Sequence, residues 1–151
     1  MLAPSSTRRT SRAGSGRVVA RASRGQTVLA SARAESPLKL IQPRFHGTTS
    51  AAVCAVTFGG GLVDGDRIEL DVEVEAGATL LVFTQASTKV FRGAAVQRLR
   101  AVVDGTLVLL PDPVSAFADA HYTQRVDVAL RGAGSCFLLD GYTSGRAAFG
   151  D

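Results

Sequence analysis

The stretch "RIELDVEVEAGA", Arg67 to Ala78, alternates almost without exception: Ile68, Leu70, Val72 and Val74 fall on one side of an extended chain, and Glu69, Asp71, Glu73 and Glu75 on the other. A period of two excludes a helix, whose apolar residues return every three or four positions, so this segment is a strand with one buried face and an acidic outer one. No segment of the chain holds apolar residues at i, i+3, i+4 and i+7 over three turns, and "VSAFADAHY" has room for one helical turn at most. The fold class that follows is all-β.

Neighbouring segments agree. Gly77 marks a turn into "TLLVFTQ", a continuous apolar run suited to a buried strand. "AVQRLRAVV" comes next, and Asp104-Gly105, a hairpin dipeptide, leads from it into "TLVLL". Pro111-Asp112-Pro113 ends that strand, because proline cannot serve a ladder. "TQRVDVAL" alternates through Val126, Val128 and Leu130, and "GAG" turns it into "CFLLD". Strands at intervals of about ten residues with hairpin chemistry between them predict an antiparallel domain of β-sandwich-like sheets. The final apolar, glycine-rich "GYTSGRAAFGD" carries no solvating segment, so the sandwich is expected to be truncated.

Charge divides the 151 residues in two. Residues 1–35 hold seven of the 17 basic residues, all arginine, and one of the 13 acids, whereas residues 36–151 are near neutral. The first part is expected to be a disordered or transit-peptide-like tail rich in Arg, Ser and Ala, and the second the folded β domain. Because the basic residues belong to the tail, nucleic acid is not an expected partner. No apolar run approaches the roughly 18 residues of a membrane span, so a membrane is not one either. Cys54 and Cys136 stand apart in apolar runs and read as small buried hydrophobes. His46 and His121 form neither H-x-H nor H-x-x-x-H, and no preassembled tight metal site is written in the chain.

Two constellations remain. "FGGGLVDGD", Phe58 to Asp66, lacks the G-K-[ST] of a phosphate loop and the glycine of a calcium loop, which leaves three glycines where backbone passes close to another segment or takes positive φ. "LLVFTQASTKVFRG" sets Thr84, Gln85, Ser87, Thr88, Lys89 and Arg92 into an apolar context, and polar groups there are costly unless they are satisfied or face water. Ser87 and Lys89 share one face of a strand and could form a Ser-Lys pair, although the S-x-x-K spacing of penicillin-type enzymes is absent. Asp140 with Arg146 in "DGYTSGR" offers a carboxylate and guanidinium pair near the core.

In order and spacing, "SPLKLIQP", "FGGGLVDGD", "TQASTKVFR", "LPDPVSAFADAHYTQ" and "DGYTSGR" resemble the urease accessory protein UreD family, also called UreH, from about Ser36 to Asp151 and over the N-terminal half of its usual length. Asp64 stands where the family usually has glycine, and Tyr142 where tryptophan is common. The resemblance implies a non-catalytic maturation factor that works with UreF, the GTPase UreG and apo-urease. It implies nickel passing transiently through a polar interior route, with no tightly bound cofactor. Asp66, Thr84, Ser87 and Asp140 are the residues it points to for that route. Gln85, Lys89, Arg92 and Arg146 are the polar or charge-neutralising residues, with Lys89 and Arg92 expected to neutralise those acids rather than to bind a cation. A purely structural polar core is the alternative for all of them. The expected location is the cytoplasm, or a plastid if the tail is a transit peptide.

Overall fold

A computed structural model describes residues 13–144, and over them the chain folds into thirteen strands and no helix. In chain order they are β1 (Ala13–Ser23), β2 (Gln26–Ala34), β3 (Leu38–Ile41), β4 (Ala51–Thr57), β5 (Arg67–Val74), β6 (Thr79–Thr84) and β7 (Thr88–Val90). Then come β8 (Gly93–Val103), β9 (Thr106–Leu110), β10 (Val114–Ala116), β11 (Ala120–Leu130), β12 (Ser135–Leu138) and β13 (Tyr142–Thr143). No helix among the described residues is long and apolar enough to cross a membrane.

The all-β expectation holds, but the antiparallel sandwich does not. The first sheet runs β11-β8-β5-β1-β2, the second β12-β9-β6-β4-β3, and a short third sheet runs β13-β10-β7. Within each, successive passes of the chain stack in parallel, β5 on β8 on β11 and β6 on β9 on β12. Only the β1/β2 and β3/β4 pairs are antiparallel. The chain therefore winds as a β-solenoid, each coil contributing one strand to each sheet. Thr79 pairs with Thr106 and Thr106 with Ser135, so the register returns after 27 and then 29 residues.

Asp104-Gly105 was expected to close a hairpin; it instead forms the corner where a coil passes from the first sheet to the second. Asp104 N donates to Val74 O at 2.8 Å and Thr106 N to Ala78 O at 2.8 Å, which stacks this corner on the one before it. A Cβ at position 105 would collide with the carbonyl oxygens of Ala78 and Glu75, so the residue is glycine for closeness and not for a hairpin turn.

The disordered-tail expectation fails for residues 13–34. In "AGSGRVVARAS" the small and apolar Gly14, Gly16, Val18 and Ala20 alternate with Ser15, Arg17, Val19 and Arg21, a period of two hidden by the unusual composition. Strand β1 pairs in parallel with β5 and turns Val18 and Ala20 into the core, both fully buried. Its arginines meet the acids of β5 on the outer face: Arg17 Nη2 lies 2.9 Å from Glu73 Oε2, and Arg21 makes two 2.8 Å bonds to Glu75. On the other flank, Arg100 of β8 lies 3.0 Å from Asp71 Oδ1. Arginines of the assumed tail are thus partners of the acidic strand that the alternation revealed. Residues 1–12, which carry the rest of the proposed leader, lie outside the described residues.

Between the first two sheets the inward side chains stack in files along the coil axis. Val18, Val72, Ala101 and Val128 form one such file, with Leu80, Val82, Leu107 and Leu109 facing them from the second sheet. Burial of a Val or Leu side chain is worth about 1.5–3 kcal/mol, so these files supply the main cohesion of the coil.

Candidate functional site

Half-buried polar residues gather at the bends between β6 and β7 and on the adjoining ends of β8 and β11. "LLVFTQASTKVFRG" is not one strand. Strand β6 ends at Thr84, Gln85 to Ser87 form an exposed bend, and β7 begins at Thr88. The cost of burying six polar groups is avoided, because most of them lie on a corner.

Thr84 is the group that stays inside. Its hydroxyl donates to Asp112 Oδ2 at 2.8 Å and accepts from Asp112 N at 2.7 Å, tying the end of β6 to the bend one coil further on. Deeper in, Tyr122 on β11 donates its hydroxyl to Gln97 Oε1 of β8 at 2.7 Å and sits 3.1 Å from Gln124 Oε1. Gln124 Nε2 donates to Asp140 Oδ2 at 2.9 Å, and Asp140 Oδ1 accepts from Gly141 N at 2.9 Å. Burial, with the Asp140 charge added to it, pushes the Tyr122 phenol well above its ordinary range. The neutral hydroxyl is held as a donor.

Three cavities adjoin these residues. One of about 260 Å³ lies between the glycine loop and the Thr84–Lys89 bend, one of about 70 Å³ between the two broad sheets, and one of about 530 Å³ beside Tyr122, Gln124 and Asp140. The first and second share Leu38, Ala55, Thr84 and Gln97, and the second and third share Gln124, Val126 and Leu138. Each is open to solvent, and the shared residues make them neighbours.

The residues expected from sequence are divided among different tasks. Thr84, Gln85, Ser87 and Lys89 line the first cavity, and Asp140 the third. Asp66 lines none of the three; its Oδ2 accepts from Val63 N at 2.9 Å and closes its own loop. Arg92 does not neutralise the acids of the expected route, because its guanidinium binds Asp119. Lys89 is exposed and makes no ion pair among the described residues. Arg146 lies outside those residues, and with it the expected pair to Asp140. Ser87 and Lys89 are both exposed, with no hydrogen bond between them among the described residues.

The glycine loop does what close backbone approach requires. Leu62 N donates to Lys89 O at 2.7 Å and Phe91 N to Leu62 O at 2.9 Å, adding a bridge to the edge of β7. A Cβ on Gly61 would stand 2.6 Å from Lys89 O, at a φ of 154°. Asp64, the departure from the family pattern, has a use of its own: its Oδ1 accepts from Ala94 N at 2.8 Å. Gln97, Tyr122, Gln124 and Asp112 were missed as site residues. The signal for three of them was the parity of "AVQRLRAVV" and "AHYTQRVDVAL", which places Gln97, Tyr122 and Gln124 on the same side as Leu99 and Val126.

Among the described residues no three His, Cys, Asp or Glu side chains converge as a metal cluster. Cys54 is buried and Cys136 half-buried, and burial pushes both thiols upward, away from the reactive thiolate.

Fold and site together define a β-solenoid scaffold with an apolar core and a half-buried, hydrogen-bonded polar margin. The chain belongs to the UreD urease accessory protein family, whose pattern matches residues 12–151. It is 49% identical to the urease accessory protein UreD of Sorangium cellulosum over 95% of its own length and 47% of that protein's. It is 39% identical to UreD of an Anaeromyxobacter strain, over 93% of this chain and 48% of the relative, and 34% identical to urease accessory protein D of Arabidopsis thaliana, over 90% and 49%. The chain thus spans about half the length of the curated relatives it matches.

Proposed function

We propose that this chain takes part in urease maturation as an accessory protein that performs no bond chemistry, docks with UreF, UreG and apo-urease, and gives nickel a transient path through its interior. The location proposed for this work is the cytoplasm, or a plastid if the residues before β1 act as a leader. The observation that supports the reading is the set of three neighbouring clefts that share Thr84, Gln97 and Gln124 in their walls. Even the smallest, about 70 Å³, exceeds the ~10–15 Å³ that one water needs. Nickel is cargo here, and a cargo ion must be released. The hydroxyl and amide oxygens of Thr84, Tyr122, Gln97 and Gln124, with Asp140 as the charged group, are weak donors compared with thiolates or a closed imidazole set.

The test is co-production of this chain with urease, UreF and UreG, comparing the parent with Gln124→Leu/Asp140→Ala. Urease activity and its nickel content are expected to fall several-fold while co-elution with UreF is kept. Unchanged nickel loading would overturn the route. A purely structural polar core is favoured by one observation: Thr84, Asp112, Tyr122 and the two glutamines already satisfy one another. That reading expects the same double variant to lose thermal stability and partner binding together.

A further inference from the structure

The cleft of about 260 Å³ between the glycine loop and the Thr84–Lys89 bend is one-sided in its chemistry. Its walls hold one charged residue, Lys89, and no carboxylate. Lys89 is exposed and makes no ion pair among the described residues, so its charge is left uncompensated there. The acids of the surrounding loops have other tasks. Asp112 accepts from the Thr84 hydroxyl, Asp64 from Ala94 N and Asp66 from Val63 N, and none of the three lines the cleft.

Gln97 settles the sign of the ligand. Half-buried in the cleft wall, its Oε1 accepts the Tyr122 hydroxyl at 2.7 Å, which fixes the amide and leaves the two Nε2 hydrogens as its uncommitted half. Ser87 and Thr88 add hydroxyls that have no side-chain partner among the described residues. Gly60 and Gly61, at φ of 74° and 154°, face the cleft with bare backbone that bars no approach. A cation set between an ammonium and the N–H side of an amide meets like charge and no acceptor. An oxyanion accepts from both, and its bond to the lysine is charge-assisted. We propose that this cleft binds a small free oxyanion, of the carboxylate, bicarbonate or phosphate kind, between Lys89 and Gln97. With a single exposed charge, the affinity is modest, on the order of millimolar. The proposal does not rest on the nickel reading, since the anion is held by Lys89 and Gln97 whether or not nickel passes.

The test uses the full chain, labelled with nitrogen-15, and follows the Gln97 side-chain amide and the Gly60 and Gly61 backbone amides by nuclear magnetic resonance. Sodium acetate, sodium bicarbonate and sodium phosphate are titrated separately at constant pH and ionic strength, with sodium chloride as the control. Saturable shifts of these amides are expected with at least one oxyanion and not with chloride, and the anion that saturates at the lowest concentration names the source. Lys89→Gln is expected to weaken binding at least about five-fold and Lys89→Arg to keep it, because the charge-assisted bond is lost in the first and retained in the second. Gln97→Glu keeps the shape and the acceptor for Tyr122 but puts a carboxylate where the donors were, and is expected to abolish binding. The proposal is overturned if no oxyanion gives saturable shifts, if chloride acts alike, or if Lys89→Gln binds as the parent does. Lys89 is exposed, so its variants decide the matter even if Gln97→Glu fails to fold.

Discussion

Tyr122 concentrates the interior chemistry in one side chain. Its hydroxyl is the donor to half-buried Gln97, so Tyr122→Phe removes that bond and is expected to cost about 1 kcal/mol in urea unfolding. Its phenol is raised by burial first and by Asp140 second. A folded-state pKa above the unfolded value stabilises fully below the unfolded value, here about 10, and is lost as pH rises beyond it. The parent is therefore expected to lose stability above about pH 10, and Tyr122→Phe to lose less over the same interval. At Gly61 the argument is steric, since a side chain would meet Lys89 O at 2.6 Å. Gly61→Ala is expected to destabilise by about 1–3 kcal/mol, read as a lowered midpoint of thermal unfolding, through detachment of the Leu62–β7 bridge. Gly61's need was legible in "FGGGLVDGD" as close backbone approach. The identity of the neighbour, Lys89, was not, because nothing in local sequence says which segment lies alongside.

At the scale of elements, the ladder that joins β1, β5 and β8 explains both what the sequence made plain and what it hid. Alternation in β5 was readable, because every second residue changes polarity. Strand β1 was not, because its inward residues are as small as Gly14 and Gly16, and a larger residue at either would collide with Leu38. Smallness and arginine looked like disorder when they were close packing and ion pairing. Removal of residues 1–34 is accordingly expected to expose the edge of β5 and the apolar files behind it and to yield insoluble protein, where a dispensable tail would leave solubility unchanged. The ladder also sets a pH limit. Hydrogen bonds from Arg67 and Arg21 lower the Glu69 and Glu75 carboxyls respectively, so their stabilisation is present above about pH 4.5 and is lost as pH falls through the lowered values. Acid unfolding should start in that window, and Arg21→Ala should make it less steep. Both effects are expected to shrink in 1 M salt, which screens exposed pairs.

Across the whole molecule, the parallel winding was the least legible property. A period of two fixes which residues face inward, yet it is identical in parallel and antiparallel strands, and Asp104-Gly105 pointed to the wrong alternative. The chain does carry a weaker clue, a glycine directly before Thr106 and Ser135 and two residues before the equivalent Thr79, which only the stacked corners make intelligible. Each coil touches chiefly the coils beside it, so stability is expected to vary along the axis. The inner residues of β5 are nearly closed off, whereas the inward Leu130 and Leu138 of β11 and β12 are 54% and 44% exposed. Amide hydrogen exchange should therefore be slowest in β5 and β8 and markedly faster in β11 and β12; uniform protection would contradict a coil-by-coil structure.

The stacked corners have an evolutionary consequence. Because Gly105 N and Thr106 N bond to the preceding corner and Ser135 N to Gly105 O, a residue inserted within a strand would turn the rest of that strand to the wrong face unless a bulge absorbed it, as the register shift between Val19 and Ala20 does in the β1/β2 pair. Length changes in such a chain are confined to the bends or come as complete repeats of about 27 to 29 residues, the intervals from Thr79 to Thr106 and from Thr106 to Ser135. Such a scaffold can lengthen by whole coils, while the length of each strand is held by the ladders of its neighbours and the bends absorb the rest.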